Sequence, residues 1–405
     1  MPYVFLRHVP HVSLDALRVL ITDVLPKDLP PMPKLEQVHI EGPDELKSFR
    51  SSYPQVKIVY IDETNTDPFT ALSRGLPRKL YTAHKPEAER LRELACTKLF
   101  ASNAARLAAL KQIKIGILDS GVNWAHPDLA GAIAATAIFV DSEISCLDLI
   151  GHGTHCAGII AGARSGVACG VQLYVAKVAD QHQNVKQEDV ARGVEWAIAQ
   201  GVDLISMSLG GFKYHEGLHN AIQKAINSGI IVVCAAGNAG SNHQFNIRFP
   251  ATIPGVIRVG SVNAHGRASA FTSIGGAHID AAGPGEDILS TWIIPMPTSP
   301  PSGQTTLPGI AGAKPECWYQ YASGTSMAAP FIAGVIAWLL AYDRSLEIKS
   351  KKRPRRLTNA HCVKDLLGRL CFNPSGDVGA GRGTLNLKNI LKRPGQFDYL
   401  LKQIC

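Results

Sequence analysis

Three short motifs carry residues whose types suit nucleophilic chemistry. Asp119 stands in Asp119-Ser120-Gly121, and His152 in Gly151-His152-Gly153-Thr154-His155-Cys156-Ala157-Gly158. Ser326 stands in Ser323-Gly324-Thr325-Ser326-Met327-Ala328-Ala329-Pro330. A serine hydroxyl is a weak nucleophile at neutral pH. It needs an imidazole to take its proton and a carboxylate to fix the imidazole's tautomer and stabilise its charged form. A fourth motif, Ala235-Ala236-Gly237-Asn238, offers the Asn238 amide as a donor to an oxyanion. Losing one such donor typically costs about 2.7–4 kcal/mol of transition-state stabilisation. Taken singly each motif is ordinary, since an Asp-Ser-Gly is usually a turn. Taken together they place Asp, His and Ser in one of the chain orders known for such a set.

The segments around these motifs can position them. Short apolar runs at Ile113–Leu118, Leu173–Val178, Val202–Met207, Ile230–Ala235 and Val256–Val262 alternate with helix-length segments. In Glu188–Gln200, Val190, Val194 and Ile198 recur at helical spacing, and Gly217–Ser228 is a second such segment. Strands alternating with helices predict an α/β fold, with a parallel sheet buried on both faces. Asp119 then ends a buried strand, at the rim where α/β sites form. Ser326 opens the apolar helix Phe331–Tyr342, so backbone N–H groups lie beside the developing charge. The first 80 residues read as a small two-layer α+β unit. It has strands at Tyr3–Arg7, Leu35–Ile40 and Val56–Ile61, a helix capped by Ser13 and another at Asp44–Ser51. Residues 81–112 read as a linker and 113–395 as one larger domain. That domain carries surface insertions at 292–320 and 343–358.

Composition narrows the classes. With 405 residues, 46% hydrophobic and 18% charged, the chain can bury a large core and is not a disordered protein. No uncharged apolar stretch reaches the ~18–20 residues of a membrane span, and the N-terminus lacks the apolar core of a signal peptide. Nine cysteines without a CxxC pair argue against a zinc ribbon. The absence of a glycosylation sequon, together with cysteines that would be mostly reduced, leans towards an intracellular location, with secretion the alternative if the start site is mis-assigned. The net charge of +8 is largely local, because Lys349–Arg356 holds six basic residues. Such a run reads as a solvated loop, so nucleic acid is not an expected partner. His215-Glu216-Gly217-Leu218-His219 matches a zinc-peptidase pattern. Its internal glycine and its place at a helix start argue for coincidence.

The motifs resemble those of the subtilases, the subtilisin family of serine peptidases. Asp203–Gly211 (DLISMSLGG), Phe249–Val262 and Gly283–Trp292 (GPGEDILSTW) also match, and the likeness runs from about Ile113 to Leu387. The resemblance implies a subtilisin-like doubly wound, mostly parallel sheet with helices on both faces. It implies a serine endopeptidase in which Asp119, His152 and Ser326 form the catalytic triad. Asn238 and the Ser326 backbone N–H would then hold the oxyanion. The alternative is a catalytically silent subtilase-like binding or inhibitor protein. Asp44–Glu63 resembles the end of the family's inhibitory propeptide, so the N-terminal unit is either an intramolecular inhibitor cut off near Tyr81 or a generic accessory domain.

Polypeptide substrates would pair with Ser208, Leu209 and Gly210, with Ala235, Ala236 and Gly237 as the opposite wall. Arg248 falls near the base of that pocket, where it either favours an acidic substrate side chain or swings out to solvent. Cys156 and the short stretch Ala161–Leu173 fit the proteinase K-like group best. Cys156 is there either a reactive thiol beside His152 or a small buried filler. No cofactor is required. A structural Ca2+ ion, held by the carbonyls of Pro254 and Val256 and the carboxylate of Asp280, is the site this resemblance implies. The other reading of Asp280 is a bond to the neighbouring backbone.

Overall fold

The computed structural model describes residues 3–7, 57–61, 103–164, 166–240, 247–263, 265–273, 279–293, 319–349, 356–373, 380–385, 401 and 404. The chain divides into two compact units, 1–81 with 294–317 and 82–293 with 318–405. Of the first unit, two strands are described, β1 (Tyr3–Arg7) and β2 (Lys57–Ile61), paired in parallel. The expected helices at Ser13 and at 44–51, the strand at 35–40 and the cut near Tyr81 lie outside the described residues. So do most of the insertion at 292–320 and residues 350–355 of the basic run.

In the second unit, helix α1 (Asn103–Leu110) precedes β3 (Lys114–Asp119) and β4 (Ile133–Ile138). Next come α2 (His152–Ala161), β5 (Gln172–Lys177), α3 (Gln187–Ala199) and β6 (Leu204–Met207). They are followed by α4 (Glu216–Asn227), β7 (Ile231–Ala235), β8 (Ile257–Val262) and β9 (Ala281–Pro284). A separate antiparallel pair, β10 (Ile288–Thr291) with β11 (Tyr319–Ala322), leads into α5 (Thr325–Lys349). The unit continues with α6 (Ala360–Leu370), β12 (Cys371–Phe372) and β13 (Thr384–Leu385). The main sheet runs β12-β13-β9-β8-β7-β6-β3-β5-β4, and every pairing except β12–β13 is parallel.

The central strands are buried on both faces because consecutive, not alternate, positions in them are mostly apolar. In β7, Ile231, Val233 and Ala235 join one core with residues of α2, α5 and α6. Val232 and Cys234 join the opposite core with Val190, Val194 and Ala197 of α3 and Leu218, Ile222 and Ala225 of α4. The order of strands reverses around β3. The chain adds β4 and β5 on one side and β6 to β9 on the other. The carboxyl ends next to such a switch point form the crevice where α/β folds place their chemistry.

Two expectations are corrected. The helix after Ser326 does not stop at Tyr342 but runs to Lys349, so the first part of the 343–358 segment is helical. Asp343 is 3% exposed and accepts the backbone N–H groups of Arg356 and Leu357, which ties the returning chain to the helix. The same helix also contains a stretch, Thr325–Leu346, long and apolar enough to cross a membrane, which sequence reading did not register. Of that stretch, 94% is buried within the fold, as expected of a core helix. Among the described cysteines, Cys146, Cys156, Cys169, Cys234 and Cys371 are free thiols and Cys362 is disulfide-bonded.

Candidate active site

The carboxyl end of β3 places Asp119, and the first residue of α2 is His152. His152 Nδ1 lies 2.7 Å from Asp119 Oδ1, with the carboxylate side chain 5% exposed and the imidazole 34%. Asp119 Oδ1 also accepts the Ser120 N–H at 2.8 Å. Two loops must come very close for this. A Cβ on Gly153 would strike the Gly121 carbonyl, and Gly151 sits at φ +99° against the Trp292 ring. Burial would lower the imidazole's pKa. The Asp119 carboxylate, aided by the Cys156 sulfur, overrides it and raises that pKa well above the ordinary histidine value.

A second carboxylate, unnoticed in the sequence, staples these motifs together. Asp148, 2% exposed, accepts the Ser120 hydroxyl at 2.9 Å and the Gly151 N–H at 2.8 Å on Oδ1. On Oδ2 it accepts the Thr154 N–H at 2.8 Å and the Thr154 hydroxyl at 2.7 Å. One side chain thus fastens the residue after Asp119 to the first turn of α2. Beside it, the fully buried Lys177 donates to the carbonyls of Ser120 at 2.8 Å and Leu147 at 3.0 Å. The sequence signal for Asp148 was its place four residues before His152. Nothing local marks Lys177, because its partners are 57 and 30 residues away.

Ser326 lies in the first turn of α5. Its hydroxyl donates to the Ser208 carbonyl at 3.1 Å, so in this conformation it is turned towards the β6 side of the cleft. Pro330 explains what surrounds it. A proline has no N–H, so the carbonyl four residues earlier loses its helical partner. That carbonyl belongs to Ser326, and it accepts instead from the Ser208 hydroxyl at 2.8 Å and the Cys156 thiol at 3.4 Å. Cys156 is 2% exposed, and burial raises its pKa although the His152 charge opposes this. A protonated thiol donating to a backbone carbonyl fits the filler reading of Cys156 better than the reactive one.

Asn238 follows β7. Its Oδ1 accepts both the backbone N–H and the hydroxyl of Thr325 at 2.9 Å. This orients the amide so that Nδ2 is the free donor, next to the residue that carries the nucleophile. Thr325 also accepts the Gly237 N–H at 3.1 Å. Thr325 was not singled out by sequence. The signal available was its place between Gly324 and Ser326.

The two predicted substrate walls also converge here. Ser208 is tied to Ser326 as described, and Leu209 and Gly210 follow it. On the other side, the Arg248 N–H donates to the Ala236 carbonyl at 3.0 Å, and Gly211 exchanges two backbone bonds with Phe249 at 2.8 Å. Arg248 and Phe249 therefore link Ala236 to Gly211, the residue after the first wall.

Pro254, Val256 and Asp280 do not fit a calcium ion. The Pro254 carbonyl accepts from Gln223 at 3.0 Å. Asp280 Oδ2 accepts the Arg258 N–H at 2.9 Å and lies 3.1 Å from the Lys364 ammonium. Burial lowers the pKa of Lys364, Asp280 partly offsets this, and the nearby charges of Arg258 and Arg382 lower it further. A divalent cation would have to displace an ammonium among two guanidinium groups. Asp280→Asn is thus expected to leave any calcium-induced shift in melting temperature unchanged. A smaller shift in the variant, measured between EDTA and millimolar Ca2+, would restore the calcium reading.

The zinc-peptidase pattern dissolves in the fold. His215 caps α4 from outside the helix, with Nδ1 accepting the Leu218 N–H at 3.1 Å and Nε2 2.9 Å from Glu188 Oε1. Both of its ring nitrogens are occupied.

The comparisons agree with this architecture. Residues 110–367 match the model of the Subtilase family, peptidase S8. Subtilisin DY of Bacillus licheniformis is 36% identical over 282 residues, covering 68% of this chain and 89% of that protein. Subtilisin E of Bacillus subtilis (strain 168) is 36% identical over 283 residues, covering 68% of this chain and 65% of that one. The major intracellular serine protease of the same strain is 33% identical over 289 residues, covering 68% and 82%. A crystal structure of a cold-adapted subtilisin-like serine proteinase superposes with a TM-score of 0.52 at 29% identity, covering 68% of this chain and 86% of that one. These matches do not assign the proteinase K-like subgroup. The family match over residues 110–367 and the 36% identity to subtilisins show that the chain belongs to the subtilase family of serine peptidases.

Proposed function

We propose that the chain is a serine endopeptidase acting through Asp119, His152 and Ser326, and that it is made as a precursor that processes itself. The 2.7 Å pairing of His152 Nδ1 with the buried Asp119 carboxylate carries this reading. With Nδ1 held, Nε2 is the nitrogen left to take the Ser326 proton. The hydroxyl leaves the Ser208 carbonyl as substrate arrives, attacks the scissile carbonyl and passes its proton to His152. The carbonyl oxygen becomes an oxyanion held by Asn238 Nδ2 and the Ser326 N–H. His152 then protonates the leaving amine, an acyl-enzyme remains, and water releases it by the same steps in reverse. Asp119 stabilises the imidazolium throughout. Asp148 and Lys177 act only through the segments they hold.

Extended polypeptides pair with Ser208–Gly210 by adding a strand. The N-terminal unit is proposed to occupy that cleft before its removal near Tyr81. A silent binding protein gains no support, because a buried carboxylate held against an imidazole and an oriented oxyanion donor are costly features for surface recognition alone. Peptide hydrolysis blocked by a fluorophosphonate and untouched by a chelator is the expected pattern. Inhibition by the chelator alone would refute the serine mechanism.

A further inference from the structure

We infer that Arg248 makes this enzyme select an acidic residue, glutamate above all, immediately before the scissile bond. This rests on the peptidase reading above. The side chain closest to the cleaved carbonyl must enter the space between Ser208–Gly210 and Ala235–Gly237, the two segments that flank Ser326. The stem of Arg248 lies against both segments. A Cβ on Gly237 would lie 2.5 Å from Arg248 Cγ, and one on Gly210 would lie 3.0 Å from Arg248 Cβ. The two glycines thus leave room for the arginine stem, and any larger residue in either wall would evict it.

Beyond the stem, the guanidinium meets an aromatic ring and, among the described residues, no carboxylate. Its carbon sits 3.2 Å over the centre of the Phe212 ring, which is 71% exposed. Stacking uses the face of the guanidinium and leaves its edge free. That edge carries five N–H donors in a fork matched to a carboxylate. Among the described residues no carboxylate or carbonyl accepts from them. Partial burial lowers the pKa of Arg248, a sign that its charge is less well solvated than in water. A partly buried cation whose stem lies against both walls, and for which no anionic partner is found among the described residues, is an anion site. In a peptidase the anion that reaches it is a substrate carboxylate. Glutamate is long enough to meet the fork, whereas glutamine has the same shape and no charge.

The test compares peptides that differ only in the residue before the scissile bond. kcat/KM for the Glu peptide is expected to exceed that for the Gln peptide by roughly 10- to 100-fold. The ratio should shrink as salt rises, because the pair is only partly screened from solvent. Arg248→Gln should bring the ratio close to one. Arg248→Lys, which keeps the charge without the fork, should retain part of it. A Glu/Gln ratio at or below one in the parent, or a ratio unchanged in Arg248→Gln, overturns the inference. Failure to cleave any peptide, including those with leucine or phenylalanine, would instead refute the peptidase reading beneath it.

Discussion

Replacing Ser326 with alanine is expected to lower kcat for peptide hydrolysis by about a million-fold, the loss seen when a triad serine is removed. The variant should still fold, because the hydroxyl's bond in the free enzyme is a single one to the Ser208 carbonyl. What remains should be the small rate supplied by substrate binding and by Asn238. The Ser326→Ala chain should also stay at full length, with no new N-terminus near Tyr81. Steady-state hydrolysis by a known concentration of purified variant, with N-terminal sequencing of the same sample, reads both outcomes. Persistent hydrolysis or persistent processing would mean that another group is the nucleophile.

Asp119→Asn carries the second-largest effect, a loss of about 10,000-fold in kcat. An amide in place of the carboxylate presents an N–H to His152 Nδ1 and stabilises the wrong tautomer. The pH profile separates this role from simple damage. In the parent, His152 must be neutral to act, so the rate falls as pH drops through its raised pKa. Without the Asp119 charge, burial dominates and the imidazole pKa falls. The acidic limb of kcat/KM should therefore move to lower pH in the variant. Stability should follow the same sign. The raised pKa of His152 contributes stability that is present below its unfolded value and is lost as pH rises through the folded value. The variant should lose stability mainly on the acidic side. An acidic limb that stays in place would show that Asp119 does not set the imidazole's charge.

Much of this site could be read from the sequence because each catalytic group ends a regular element. Asp119 closes an apolar strand, Asn238 follows another, and Ser326 opens an apolar helix, so type and position coincide within a few residues. The same holds for the central strands, whose mostly apolar runs mark burial on both faces. Edge strand β4 was missed because Ile133–Ile138 alternates half-buried and exposed residues, and its alanines and threonine carry a weak apolar signal. Asp148, Thr325 and Lys177 were missed for a different reason. Each works by holding segments far apart in the chain, and a place beside a catalytic residue, as with Asp148 and Thr325, does not announce which segments meet. The surroundings of Asp280 were hidden in the same way. Asp280 keeps the expected residue type, but Lys364 arrives from α6, 84 positions later, to neutralise it. Pro330 shows the opposite case. The proline was visible from the start, yet its effect on the Ser326 carbonyl needed the positions of Ser208 and Cys156.

The central claim is that Ser326 is a nucleophile activated by His152. Its most direct test is to react the protein with a fluorophosphonate and map the adduct by mass spectrometry of its peptides. The account predicts one adduct, on the peptide bearing Ser326, formed in step with loss of hydrolysis and greatly slowed in His152→Ala. Hydrolysis that continues after full labelling of Ser326, or an adduct on another residue that accounts for the lost activity, would contradict it.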